Sequence, residues 1–179
     1  MSIWKYPRSC DILKREDTRL IIEMQKEYFD SLPNEKIGHV CFEPMVPIYQ
    51  RGMRQRGGQD IQGFRTEFYT SLSSGQQALF MFFSFYDHAI KSNGEFQHIA
   101  MLYLSERIFS AVVKGAEYFK VESMQNLLLE IKKALSEQHE TQNSRIDDFY
   151  DRLREIAPQT LTQMGAFIRD NPAEFISFE

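Results

Sequence analysis

The chain has 179 residues, 42% of them hydrophobic, with a formal net charge of -4 and a pI near 5.6. A charge this mild excludes general binding to phosphate backbones, which needs a concentrated basic surface. The longest nearly apolar run, Ala78 to Tyr86, falls short of the roughly 20 residues of a spanning helix, so no membrane contact is expected.

Residues 1–16 carry little pattern. Asp17 or Thr18 is placed to cap a helix with apolar positions at Leu20, Ile21, Met24, Tyr28 and Leu32. Residues 34–60 then hold Gly38, Pro44, Pro47, Gly52, Gly57 and Gly58, with a short β-like run at His39-Val40-Cys41-Phe42. They are expected to form a long loop, either functional or mobile, with residues 50–60 more mobile than the helices. A short helix follows over Ile61 to Leu72, and Ser73 or Ser74 caps the next one.

That next stretch, Gln76 to Leu104, is what the rest is organised around. Leu79, Phe82, Phe83, Tyr86 and Ile90 recur at helical spacing, and Phe80, Met81 and Phe85 make the other faces apolar too. Such a helix belongs inside a core. Ser92-Asn93-Gly94 stops it, and Phe96, Ile99, Ala100 and Tyr103 restart the period, giving a helical hairpin. Ser105 is expected to begin another helix, with Ile108, Val112 and Ala116 on one face. Glu122 to Gln138 is amphipathic through Met124, Leu127, Leu128, Ile131 and Leu135. After the polar HETQNS connector, a helix over Ile146 to Ile156 is expected to break at Pro158. A last helix spans Thr160 to Arg169, and Asn171-Pro172 opens a final turn. The expected fold is all-α, a single multi-helix domain built around the buried hairpin. Residues 1–69 form an N-terminal helix and Gly/Arg-containing loop, and residues 70–179 the helical core.

Charge is uneven along the chain. Residues 1–70 hold eleven Lys/Arg against ten Asp/Glu, and residues 71–179 hold ten against fifteen. The second part is therefore the acidic one, but Lys120, Lys132, Lys133, Arg145, Arg152 and Arg154 interleave with its carboxylates, as on ordinary amphipathic helices. The two cysteines, Cys10 and Cys41, form no CxxC pattern and read as free thiols in a reducing compartment. No signal peptide is visible at the N-terminus, so a cytoplasmic location is expected.

No motif supplies a catalytic set. Glu95-x-x-His98 is half of a di-metal pattern without its second half, so neither a metal site nor a cofactor is expected. Asp87 and His88 are adjacent on a helix and point about 100° apart, so they do not form an acid/base pair. His39-x-Cys41 lacks a third group and an oxyanion site. Arg51, Arg54, Arg56 and Arg65 form a basic patch beside Gly57-Gly58, with no Lys-Ser/Thr to make a phosphate loop and no aromatic series for stacking. Asp87 is the notable group. It lies on a strongly apolar helix, where it and Asn93 are expected to accept hydrogen bonds from backbone N–H groups around Gly94 to Gln97.

Tyr86-Asp87-x-x-Ile90-x-x-Asn93-Gly94-x-Phe96-Gln97 resembles the signature of a bacterial domain-of-unknown-function family that includes a DNA-mimic protein. Lys114-Gly115-Ala116 before the Leu127-to-Leu135 helix, Ile146-Asp147-Asp148-Phe149-Tyr150, and Ala166 to Phe175 are similar to later pieces of that family, in the same order. The similarity covers about residues 70–176. The family is all-helical, one member is thought to imitate DNA and occupy a transcription factor, and most have no assigned activity. This chain departs from the pattern at Glu95, where the family has a second glycine, and in its interleaved charges.

The reading that results is a non-catalytic module that binds a macromolecule, most simply a protein, and no nucleic acid directly. Its candidate binding residues are Asp87, Asn93, Gly94 and Gln97. A DNA mimic and an enzyme using Asp87, Asn93 and Gln97 are the alternatives, and homodimer formation is left open.

Overall fold

The computed structural model describes residues 19–56, 59–137 and 142–179. Cys10, the cap at Asp17 or Thr18, Gly57-Gly58 and the first part of the polar connector lie outside the described residues.

Among the described residues the fold is all-α apart from one two-residue strand pair. In chain order the elements are β1 (Glu23–Met24), α1 (Lys26–Ser31), α2 (Asn34–Phe42), α3 (Met45–Gln55), α4 (Ile61–Ser71) and α5 (Ser74–Ala89). These are followed by α6 (Asn93–Ser105), α7 (Phe109–Tyr118), α8 (Glu122–Ser136), α9 (Gln142–Asp170), a 3-10 turn (Pro172–Glu174) and β2 (Ser177–Phe178). No helix among the described residues is long and apolar enough to cross a membrane.

The hairpin of α5 and α6 is at the centre, as expected. Leu79, Phe82 and Phe83 are 0–1% exposed and Tyr86 is 9% exposed. The α5 helix packs on α7, α6 and α2. Its start is a capping box: the Ser73 hydroxyl accepts from the Gln76 N–H, and the Gln76 side chain accepts from the Ser73 N–H. Gly115 brings α7 against α5 so closely that a Cβ there would lie 2.8 Å from the Ala78 carbonyl oxygen.

Four expectations are corrected. The first concerns residues 20–24, which are extended. Leu20, Ile22 and Met24 are buried and Arg19, Ile21 and Glu23 exposed, which is the period of two of a strand. β1 pairs in parallel with β2, and the Leu20 N–H donates to the Ser71 carbonyl at 2.7 Å.

The second is the loop at 34–60, which is largely helical in α2 and α3. The prolines in it and just before it sit where a helix tolerates them: Pro33 and Pro44 precede α2 and α3, and Pro47 falls in the first turn of α3, where N–H groups lack intrahelical partners. His39 to Phe42 is the last part of α2, whose Ile37, Cys41 and Phe42 are buried.

The third is Ser105, which closes α6 rather than opening a helix. The Arg107 N–H donates to Leu104 and the Ile108 N–H to Tyr103, with Arg107 left-handed at φ 60. This is a Schellman closure with an arginine where glycine is usual.

The fourth is Pro158, which does not break the chain. It is exposed inside α9, while Phe149, Leu153, Ala157, Thr160, Met164 and Ile168 carry a buried stripe across it. Burial of that stripe outweighs the one backbone hydrogen bond that proline removes.

Candidate functional site

The four candidate residues are not gathered into one site. Asp87 leaves α5 toward α2, where its Oδ2 lies 3.1 Å from His39 Nε2. The other ring nitrogen of His39, Nδ1, lies 3.1 Å from Glu43 Oε1. Both imidazole nitrogens thus face carboxylate oxygens, which only accept, so the doubly protonated ring satisfies both at once. The Phe83 ring meets the imidazole edge-on at 5.4 Å. The hydrogen bond that Asp87 accepts is the largest influence raising the His39 pKa. Both carboxylates also raise it by charge, and partial burial opposes them.

Asn93 does something else. It is the first residue of α6, and its Nδ2 donates to Asp147 Oδ1 on α9. Its Oδ1 is buried and has no hydrogen-bond partner among the described residues. Close by, the Tyr150 hydroxyl donates to the Ile90 carbonyl at 3.3 Å and its ring meets Phe96 at 6.0 Å. The α5–α6 turn is therefore latched to the first turns of α9.

Gly94 and Gln97 are exposed, and a Cβ at Gly94 would meet nothing within 4 Å. The expected bonds from Asp87 and Asn93 to backbone N–H groups are absent. Ser92 takes that role, accepting from the Glu95 N–H at 3.2 Å as the cap of α6. It lies one residue before Asn93, just outside the helix, in the extended conformation a cap requires.

The remaining candidates resolve separately. His88 and Asp87 diverge: His88 Nδ1 lies 3.9 Å from Glu95 Oε2. His98 is exposed. Cys41 is fully buried, and burial pushes its thiol up to about 12, which makes it a packing residue rather than a nucleophile. Among the described residues, no group of three His, Cys, Asp or Glu side chains could hold a metal ion. In the basic segment, Arg56 pairs with Glu67 at 2.6 Å and Arg65 with Glu106 at 3.7 Å, while Arg51 and Arg54 are exposed.

On the acidic helices, Arg152 grips Glu130 through two bonds of 2.7 and 3.0 Å, and this holds the Glu130 carboxyl below its ordinary value. A surface hollow of about 360 Å³ opens there, lined by Glu130, Asp148, Asp151 and Glu155 together with Arg145, Arg152 and Phe149.

The α6–α7 corner carries a feature that the helical period alone does not flag. Met101, Leu102 and Ile108 are 46%, 41% and 37% exposed, although α6 has already buried Phe96, Ile99, Ala100 and Tyr103. The signal was present as a second set of large apolar residues outside the core stripe of α6. Leu129, on α8, which α6 also touches, is 46% exposed.

Comparison of the chain with protein-family models, curated proteins and solved structures gives no match.

Proposed function

We propose that the protein is a binding module for another protein, acting without catalysis through the α6–α7 corner. The observation that carries this reading is the exposure of Met101 and Leu102 on a helix whose inward face is already filled, and of Ile108 in the turn that follows it. Large apolar side chains left exposed within a few residues of one another favour contact with another apolar surface, and the Arg65–Glu106 pair and Arg107, next to them in the chain, supply polar groups beside them. The enzyme alternative has less support, because Asp87, Asn93 and Gln97 point to α2, to α9 and to solvent. The DNA-mimic alternative, which the family resemblance raised, has less support too, because Arg145 and Arg152 sit among the carboxylates of α8 and α9.

The test places a photocrosslinking side chain at position 102 and, as a control, at the exposed position 159 in the native host. A discrete adduct is expected from 102 alone, and Ile108→Asp should abolish it while leaving the melting temperature unchanged. The same adducts from both positions would overturn the reading.

A further inference from the structure

We infer that Asn93-Gly94 is a site of spontaneous covalent modification that opens the latch between the helical hairpin and α9 irreversibly. Asn93 is the only asparagine in the sequence followed by glycine. In the reaction the Gly94 backbone nitrogen attacks Asn93 Cγ and an N–C bond forms. The Cγ–Nδ2 bond breaks, the Gly94 amide proton passes through solvent to the departing nitrogen, and ammonia leaves. Water then adds across one of the two C–N bonds of the cyclic imide, giving aspartate or isoaspartate. Nothing is oxidised or reduced, and water is the only co-reactant.

Three features favour the step here. Gly94 has no side chain to obstruct the attack, and its surroundings are open. Its N–H is among the first donors of α6, which have no intrahelical acceptor, and the Ser92 cap is engaged by Glu95 instead. Ser92, Gly94 and Glu95 are exposed, and a first helical turn opens at low cost.

One feature restrains it. Asp147 holds the Asn93 amide nitrogen, and the helical backbone keeps the Gly94 nitrogen away from Cγ. Reaction therefore waits for the latch to open. Once it has occurred, a carboxylate at position 93 faces the Asp147 carboxylate, and repulsion replaces the hydrogen bond. The latch then does not re-form.

The test is to incubate the native full-length chain at mildly alkaline pH and follow its asparagine-containing peptides by mass spectrometry. Conversion at Asn93 is expected to exceed that at Asn34 and Asn126 several-fold, with both aspartate and isoaspartate products. Gly94→Ala should slow it several-fold. Asp147→Ala should raise the ratio of conversion at Asn93 to that at Asn126 while amide exchange within α8, which reports global opening, stays at the wild-type rate. In Asn93→Asp, amide exchange over residues 146–150 should be faster than in wild type. Conversion at Asn93 no faster than at Asn126, an unchanged rate in Gly94→Ala, an unchanged ratio in Asp147→Ala, or wild-type exchange in Asn93→Asp would each overturn the proposal.

Discussion

His39 Nε2 lies 3.1 Å from Asp87 Oδ2, so a side chain of α2 and one of the central α5 are joined across 48 residues of sequence. The imidazole is raised above its ordinary value of 6.5 in the folded protein, first by this bond. A raised folded pKa gives stability that is fully present below the unfolded value and is lost as pH rises through the folded one. Wild-type stability is therefore expected to decline as the pH climbs above 6.5 and to level off once His39 is neutral. Asp87→Ala should flatten the decline and His39→Gln should remove it. Because the pair is partly exposed, the advantage of wild type over Asp87→Ala at low pH should be about 0.5–1 kcal/mol. Urea midpoints across pH, with the His39 ring followed by NMR, give the answer. A wild-type slope retained in His39→Gln would sink this account.

Gly165 and Gly94 make a contrasting pair. A Cβ at Gly165 would lie 1.8 Å from the Asn34 carbonyl oxygen, because α9 and the start of α2 meet backbone to backbone there. Gly165→Ala should cost about 3 kcal/mol, at the high end for overpacking. Gly94→Ala should be neutral or gain about 0.5–1 kcal/mol, since its site is open and helical. Thermal melts of the two variants side by side check both expectations.

Gln76 is a buried polar side chain, 4% exposed, whose Nε2 donates to the carbonyls of Leu20 at 3.2 Å and Phe175 at 3.0 Å. Gln76→Leu leaves both carbonyls without this donor and should cost about 2–4 kcal/mol. The loss should appear locally as well, as faster amide exchange at Ser177 and Glu179, whose N–H groups donate to Ile22 and Met24. Unchanged exchange there would mean that Gln76 does not hold the strand pair.

Arg107 and Lys120 are both exposed with positive φ, at 60 and 57, and each closes a helix. The Lys120 N–H donates to Glu117 and the Val121 N–H to Ala116, repeating the arrangement at Arg107. Left-handed geometry costs a residue with a Cβ about 1 kcal/mol. Arg107→Gly and Lys120→Gly should each stabilise by about 0.5–1 kcal/mol, read from denaturant midpoints.

What the sequence made legible was local. The period of α5 and of α8, the Ser73 cap and the existence of the hairpin follow from residues within one or two turns of each other. The helices over 34–55 were masked by prolines and glycines, whose meaning depends on position. Pro47 costs nothing in a first turn, and Gly38 is where the Phe83 ring approaches to 3.0 Å of a would-be Cβ. Pro158 taken alone reads as a breaker, although the apolar stripe from Phe149 to Ile168 runs through it. The partners of Asp87 and Asn93 come from α2 and α9, and no spacing in the sequence marks a pair 48 or 54 residues apart.

The bond from Gln76 to Phe175 spans 99 residues, and it has a consequence for how the chain is made. At roughly 5–20 residues per second of synthesis, the start of α5 waits about 5–20 s for its acceptor to be added. Tyr118, Phe119 and Phe167 likewise await the Phe175 ring. During that interval a nascent chain presents phenylalanines that the finished protein hides. A nascent chain stalled before α9 should accordingly be held by chaperones on the ribosome, and one extended through Phe175 should be released.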